Sequence, residues 1–167
     1  MQILVSDANI IIDMAAGGLL ISMFSMEECD FIAPNMLFEE ELEEEHEHIL
    51  ELGLRLEVLT SDTLSVHHEL VERNPEPGRY NLFALALAKQ EECPLLTGDM
   101  ALRTAAQKEG VEVHGTLWLV ERMVETEKIS VAAARSAYEK MKEDGSWLPW
   151  KLAEANLKKL DKQLQAN

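Results

Sequence analysis

Cysteine is scarce in this chain, with only Cys29 and Cys93 among 167 residues. Two thiols this far apart, with no Cys-x-x-Cys pair, supply neither a disulfide framework nor a cysteine zinc site, so buried structural thiols in a reducing compartment are expected. Positive charge is scarce too: 15 Lys and Arg stand against 31 Asp and Glu, for a net charge of −16. That excludes a protein that coats nucleic acid through a basic surface. It leaves room for an enzyme of nucleic acids whose positive charge comes from metal ions or a partner. No stretch reaches the roughly 18–20 apolar residues that cross a bilayer. The opening Met1-Gln2-Ile3-Leu4-Val5 lacks the basic region of a signal peptide. A cytoplasmic protein with no membrane partner is the expectation. Glycine is missing from Asp7-Ala8-Asn9-Ile10, the turn after the first apolar run, which excludes a dinucleotide fingerprint and a phosphate-binding loop there. An aspartyl-phosphate phosphatase would carry a second acid two residues after its nucleophile, and position 9 is Asn. No repeat occurs at solenoid spacing.

What is present suits one folded domain with a real core: 47% apolar and 28% charged residues. Ile3-Leu4-Val5, Phe31-Ile32-Ala33, Leu56-Glu57-Val58-Leu59, Pro94-Leu95-Leu96-Thr97 and Val111-Glu112-Val113 read as short strands. Helical stretches fall at 17–28, 35–51, 62–73, 81–92 and 100–109, and strands alternating with helices in this way predict a mainly parallel sheet. Ser61 and Asp62 are expected to cap the third of these helices, and Gly110 to end the last. Asn74-Pro75-Glu76-Pro77-Gly78 marks a loop. Leu82 to Ala88 is apolar on all sides and predicts an interior helix. Past residue 127 the charge changes sign: residues 1–127 carry a net of −19 and residues 128–167 a net of +3. The chain therefore divides into a domain over 1–127 and a helical extension over 128–167, with helices near 130–143 and 149–164. Trp147, Leu148 and Trp150 are expected to anchor that extension on an apolar surface.

Polar groups at the carboxyl ends of the strands are the ones that can carry chemistry, because open parallel sheets bind ligands there. Asp7 follows the first strand directly, and Asp99 follows the fourth through Thr97-Gly98. If those strands are neighbours, two carboxylates face one cleft, an arrangement that persists with a divalent cation or a shared proton. Each can equally be the N-cap of the next helix, and spacing alone does not choose.

The segment Val5-Ser6-Asp7-Ala8-Asn9-Ile10-Ile11-Ile12-Asp13 resembles the opening of PIN-domain nucleases. Asn81 to Ala88, Leu95-Leu96-Thr97-Gly98-Asp99, Ala101 to Ala106 and Val111 to Trp118 are similar to the second half of prokaryotic PIN domains, including VapC-like toxins of toxin–antitoxin pairs. The likeness covers about residues 2–125. It implies a three-layer α/β/α sandwich with a parallel central sheet, here carrying a C-terminal helical extension. It also implies an acidic cleft for Mg²⁺ or Mn²⁺, hydrolysis of RNA phosphodiesters, an antitoxin protein as partner, and a homodimer. Residue by residue, it assigns Asp7 and Asp99 as metal-holding carboxylates. It places the glutamate of the second helix within Glu39-Glu40-Glu41, with Glu40 the choice by its distance from Pro34 and Glu41 next.

The pattern departs at Asn81, where RNA-cleaving relatives carry Asp. Asn offers a hard cation a neutral carbonyl oxygen but removes one negative charge, which weakens metal affinity and disfavours a second metal. A scaffold that has lost catalysis and serves as a binding or assembly module is the second reading, and a helix N-cap at Asn81 is compatible with both. Secondary candidates are Asn9 and Thr97, which can support the cleft by hydrogen bonding, and Arg103. The last either steers a phosphate or pairs with Asp99 at i,i+4. Asp13 reads as a helix-surface or capping residue. His46, His48, His67 and His68 have poor ligand spacing and are assigned to the solvated surface, with His114 structural. Six lysines of the extension, from Lys140 to Lys162, either contact phosphates or form a solvated helix face.

Overall fold

The computed structural model describes residues 1–167. Strand β1 (Gln2–Ser6) lies at the centre of a five-stranded sheet because Leu4, Val5 and Ser6 are covered on both faces. β2 (Cys29–Pro34) and β3 (Arg55–Glu57) lie on one side of it, and β4 (Leu95–Leu96) and β5 (Val113–His114) on the other. The order is β3-β2-β1-β4-β5 and every pairing is parallel. Val5 registers with Leu95 and Ser6 with Leu96. The order reverses at β1, so the crevice beyond β1 and β4 is the switch point where such sheets take ligands.

α1 (Ala8–Ala16) leaves β1 directly, ends at Gly17–Gly18, and is followed by the short α2 (Leu20–Phe24). One helix was expected over 17–28; the left-handed Gly18 (φ +70°) instead separates two, and Met23 and Met26 of this region lie in the core. The expected single helix over 35–51 is three: α3 (Asn35–Glu41), α4 (Glu43–His46) and α5 (Ile49–Leu52). Leu42 and Ile49 are buried while the glutamates between them face solvent. Like charges at i,i+4 in that run oppose one continuous helix.

α6 (Ser61–Arg73) is capped by Thr60, whose hydroxyl accepts from the Thr63 amide at 3.2 Å, rather than by Ser61 or Asp62. α7 (Arg79–Glu91) is the interior helix, with Leu82 through Ala88 all buried. Each buried Leu there contributes about 1.5–3 kcal/mol, far more than helix propensity does. His67 is not on the surface: it is buried, stacks on Phe83 with ring centres 3.7 Å apart, and bonds the Arg79 carbonyl at 3.0 Å. His46 is half-buried as well. α8 (Met100–Lys108) ends ahead of Gly110 (φ +76°), as expected of a glycine stop.

α9 (Thr116–Glu125), a helix additional to those expected, precedes α10 (Val131–Glu143) and α11 (Trp150–Ala166). Gly17 lets α10 approach α1, since a Cβ there would stand 2.7 Å from Met141 Cε and 3.3 Å from Ala137 Cβ. Met141, Tyr138, Leu157 and Leu160 join the same buried cluster as Leu4 and Ile10, so core and extension share one interior. No helix is long and apolar enough to cross a membrane.

Candidate functional site

The adjacency of β1 and β4 brings Asp7 and Asp99 together, and each is also a helix N-cap. Asp7 Oδ1 accepts the Ile10 amide of α1 at 3.0 Å, and Asp99 Oδ1 accepts the Leu102 amide of α8 at 2.8 Å. The capping reading holds for both, and each carboxylate spends one oxygen on its helix while the other accepts from a side chain. Thr97 joins them. Its buried hydroxyl donates to Asp7 Oδ2 and accepts from the Asp99 amide at 3.0 Å. Asn81 sits inside the first turn of α7, whose N-cap is Gly78, so it is not a cap; its Nδ2 donates to Asp99 Oδ2 at 3.4 Å.

Asp7 has no solvent exposure, and burial pushes its pKa up to about 6. Hydrogen bonds from Thr97 and Ile10 pull against that rise, and the charges of Asp99 and Asp13 add to it. Asp13, read from sequence as a surface or capping residue, is a tie point: Oδ2 accepts from Thr116 at 2.8 Å and Oδ1 from Ser146 at 2.8 Å. Nothing local in the sequence signals this, since its partners lie 103 and 133 residues away.

Glu40 and Glu41 close α3 on its exposed side and form no hydrogen bond to the aspartate pair. The Glu41 pKa is raised by burial and by the neighbouring Glu40 charge. Nowhere do three His, Cys, Asp or Glu side chains converge closely enough to hold a metal. The next polar side chain beside Asp7 and Asp99 is Asn81, which turns its amide nitrogen to Asp99 and has a carbonyl oxygen to offer if the amide rotates. Two carboxylates and an amide are hard donors of the kind Mg²⁺ and Mn²⁺ take, and a carboxylate raised by burial and like charges is one that a cation stabilises. The donor set fits a divalent ion that keeps several of its waters.

Next to Asp99, hollows open on both sides of Gly98, neither of them lined by the aspartate pair itself. One hollow of about 320 Å³ lies between Asn9, Asp13 and the 144–148 loop. Another of about 550 Å³ lies between Arg103, Trp118, Trp147 and Leu152. Arg103 forms no ion pair with Asp99; it is half-buried and runs across Gly115, where a Cβ would come within 3.0 Å of its Nη2. Leu148 and Trp150 anchor the extension as expected, but Trp147 is 91% exposed.

The family model that matches, described as DUF3368, PIN domain, covers residues 3–162. This chain belongs to the PIN-domain family. PIN domains are in general nucleases that use divalent metal ions and bind RNA. The match runs through α10 and into α11, beyond the region where the resemblance was legible. Among solved structures, the fold is similar to a PilT N-terminus domain protein from the hyperthermophilic archaeon Sulfolobus solfataricus P2. The TM-score is 0.53 at 14% identity, over 74% of this chain and 95% of that one. No curated protein sequence matches.

Proposed function

We propose that this PIN domain is a divalent-metal-dependent ribonuclease whose ion, Mg²⁺ or Mn²⁺, is held by Asp7 and Asp99. The observation that carries the reading is the Asp7–Thr97–Asp99 linkage at the switch point, which ties a buried and a half-buried carboxylate together at neighbouring strand ends. Asn81 supplies a neutral third donor and Glu40, with Glu41 beside it, the acid on the facing helix. A bound ion there supplies an acidified water and neutralises charge on the phosphate oxygens. The protein's own part is positioning. Helix amides fix one oxygen of each aspartate, and Thr97 fixes the separation of the two strand ends.

The second reading, a scaffold with weakened catalysis, is favoured by Asn81, which occupies Asp99 Oδ2 with an amide donor. One series decides between them: Mg²⁺- and Mn²⁺-dependent cleavage of structured and single-stranded RNA by the native chain, Asp99→Asn and Asn81→Asp. The nuclease reading expects native cleavage, lost by about 100-fold or more in Asp99→Asn as the ion is released. Cleavage by Asn81→Asp alone establishes the disabled site. Isothermal titration of Mn²⁺ reads the same residues without activity, with tighter binding expected for Asn81→Asp. A toxin role with an antitoxin partner, a homodimer and a cytoplasmic location rest on the resemblance and composition. Co-expression rescue of growth and sedimentation test the first two.

A further inference from the structure

We propose that the C-terminal extension supplies a base-stacking platform for single-stranded nucleic acid, with Trp147 at its centre and Arg103 holding the adjoining phosphate. The inference deepens the nuclease reading and rests on it for the direction of the strand across the site.

Position, shape and charge support it. Trp147 is 91% exposed, although its neighbours Leu148 and Trp150 pack against the core. An indole left in water at the rim of two hollows that meet at Gly98, next to Asp99, is placed to meet whatever enters that crevice. The larger hollow already has an aromatic wall, since Trp118 stacks on His114 with ring centres 4.0 Å apart. Flat apolar surfaces of this sort suit nucleobases, each of which presents a π-face.

Charge complementarity favours a strand over an apolar peptide. In a chain with a net charge of −16, Arg103 is half-buried in this hollow with no carboxylate in ion-pair range. Arg55, Arg73, Arg122 and Arg135 are paired, and Arg79, which is not, is exposed and lies over the Tyr80 ring. On α11, Leu152 and Asn156 line the hollow. Lys159, exposed and unpaired, continues their face at helical spacing. The wall's carboxylate, Glu121, is engaged by the Asn156 amide at 3.5 Å. The platform is held in register with the aspartates by the extension itself, because Ser146, the residue before Trp147, donates to Asp13.

Binding of a labelled oligoadenylate of about ten nucleotides to the full chain tests this, read by fluorescence anisotropy in Mg²⁺ and again in EDTA. RNA, DNA and duplex RNA of the same length form the three arms. Single strands are expected to bind better than duplex, whose bases are already stacked. Tighter binding of RNA than DNA assigns a ribose contact as well, and equal binding assigns the stacking alone. Trp147→Ala is expected to weaken single-strand binding about tenfold or more, and Trp147→Phe to restore most of it. Arg103→Gln is expected to lower the salt slope by about one. The melting temperature of Trp147→Ala stays at the native value, because so exposed a side chain contributes little packing. Native protein that binds no single strand in either buffer overturns the proposal, as it would if the groove served a protein partner. So does Trp147→Ala binding like the native chain. Trp147-dependent binding without cleavage retires the nuclease reading alone, and cleavage with Trp147-independent binding retires this one alone.

Discussion

Asp7 is held where a carboxylate is uncomfortable. Its folded pKa of about 6 lies above the roughly 3.9 of an unfolded Asp. Between those values the folded chain keeps a proton that the unfolded chain has lost. Stability from this group is therefore highest below pH ~4 and falls as pH rises to ~6, by about 3 kcal/mol in all. In metal-free protein, urea unfolding across that window should show the decline, and Asp7→Asn should lack it. Mg²⁺ should offset the loss, raising the melting temperature more at pH 7.5 than at pH 5. Asp7, Thr97 and Asp99 were legible in the sequence because strand ends in a parallel sheet are predictable places. Asp13's role was not, and Arg103 was legible only as a candidate whose role the sequence left open. Asp13 is defined by hydroxyls from two distant helix junctions, and Arg103 by the absence of a partner and the bare backbone of Gly115.

At the scale of elements, the apolar strands and the all-apolar α7 were readable because burial on every side leaves a continuous signature. Boundaries set by tertiary packing were not. α1 carries three consecutive isoleucines, a β-branched run that argues against a helix locally; two of them, Ile10 and Ile11, are fully buried, and that burial outweighs the propensity. The contact of α10 with α1 depends on Gly17, whose φ of −81° any residue can adopt. Gly17→Ala thus isolates packing from backbone conformation. The new methyl meets Met141 Cε and Ala137, and we expect a loss of about 1–3 kcal/mol by denaturant unfolding. Combined with Met141→Ala, which itself opens a cavity in the core, it should cost less than the sum of the two single losses, since the obstructing atom is then gone.

For the whole molecule, the sign change in charge at residue 127 divides the chain into a domain over 1–127 and a helical extension expected to pack on it, and 1–127 as a unit is a proposal. The shared interior argues that the two parts are interdependent. Removing 128–167 strips α9 of the two helices α10 and α11 that pack on it and takes Met141 and Leu157 out of the core. A chain ending at residue 127 is expected to lose its sharp thermal transition and to bind a hydrophobic dye, measurable by calorimetry and fluorescence.

The parallel sheet also governs time. Each strand pairing closes a long loop, and the hydrogen bond that joins Thr97 to Asp7 spans 90 residues. Such distant contacts form late and slowly, because loop entropy is spent before the contact is gained. The Ser146–Asp13 tie spans 133 residues and cannot exist until residue 146 has been made. During synthesis at about 5–20 residues per second, the two aspartates therefore spend several seconds apart on a nascent chain beside the ribosome's own RNA. A site built this way is assembled only after synthesis has passed it.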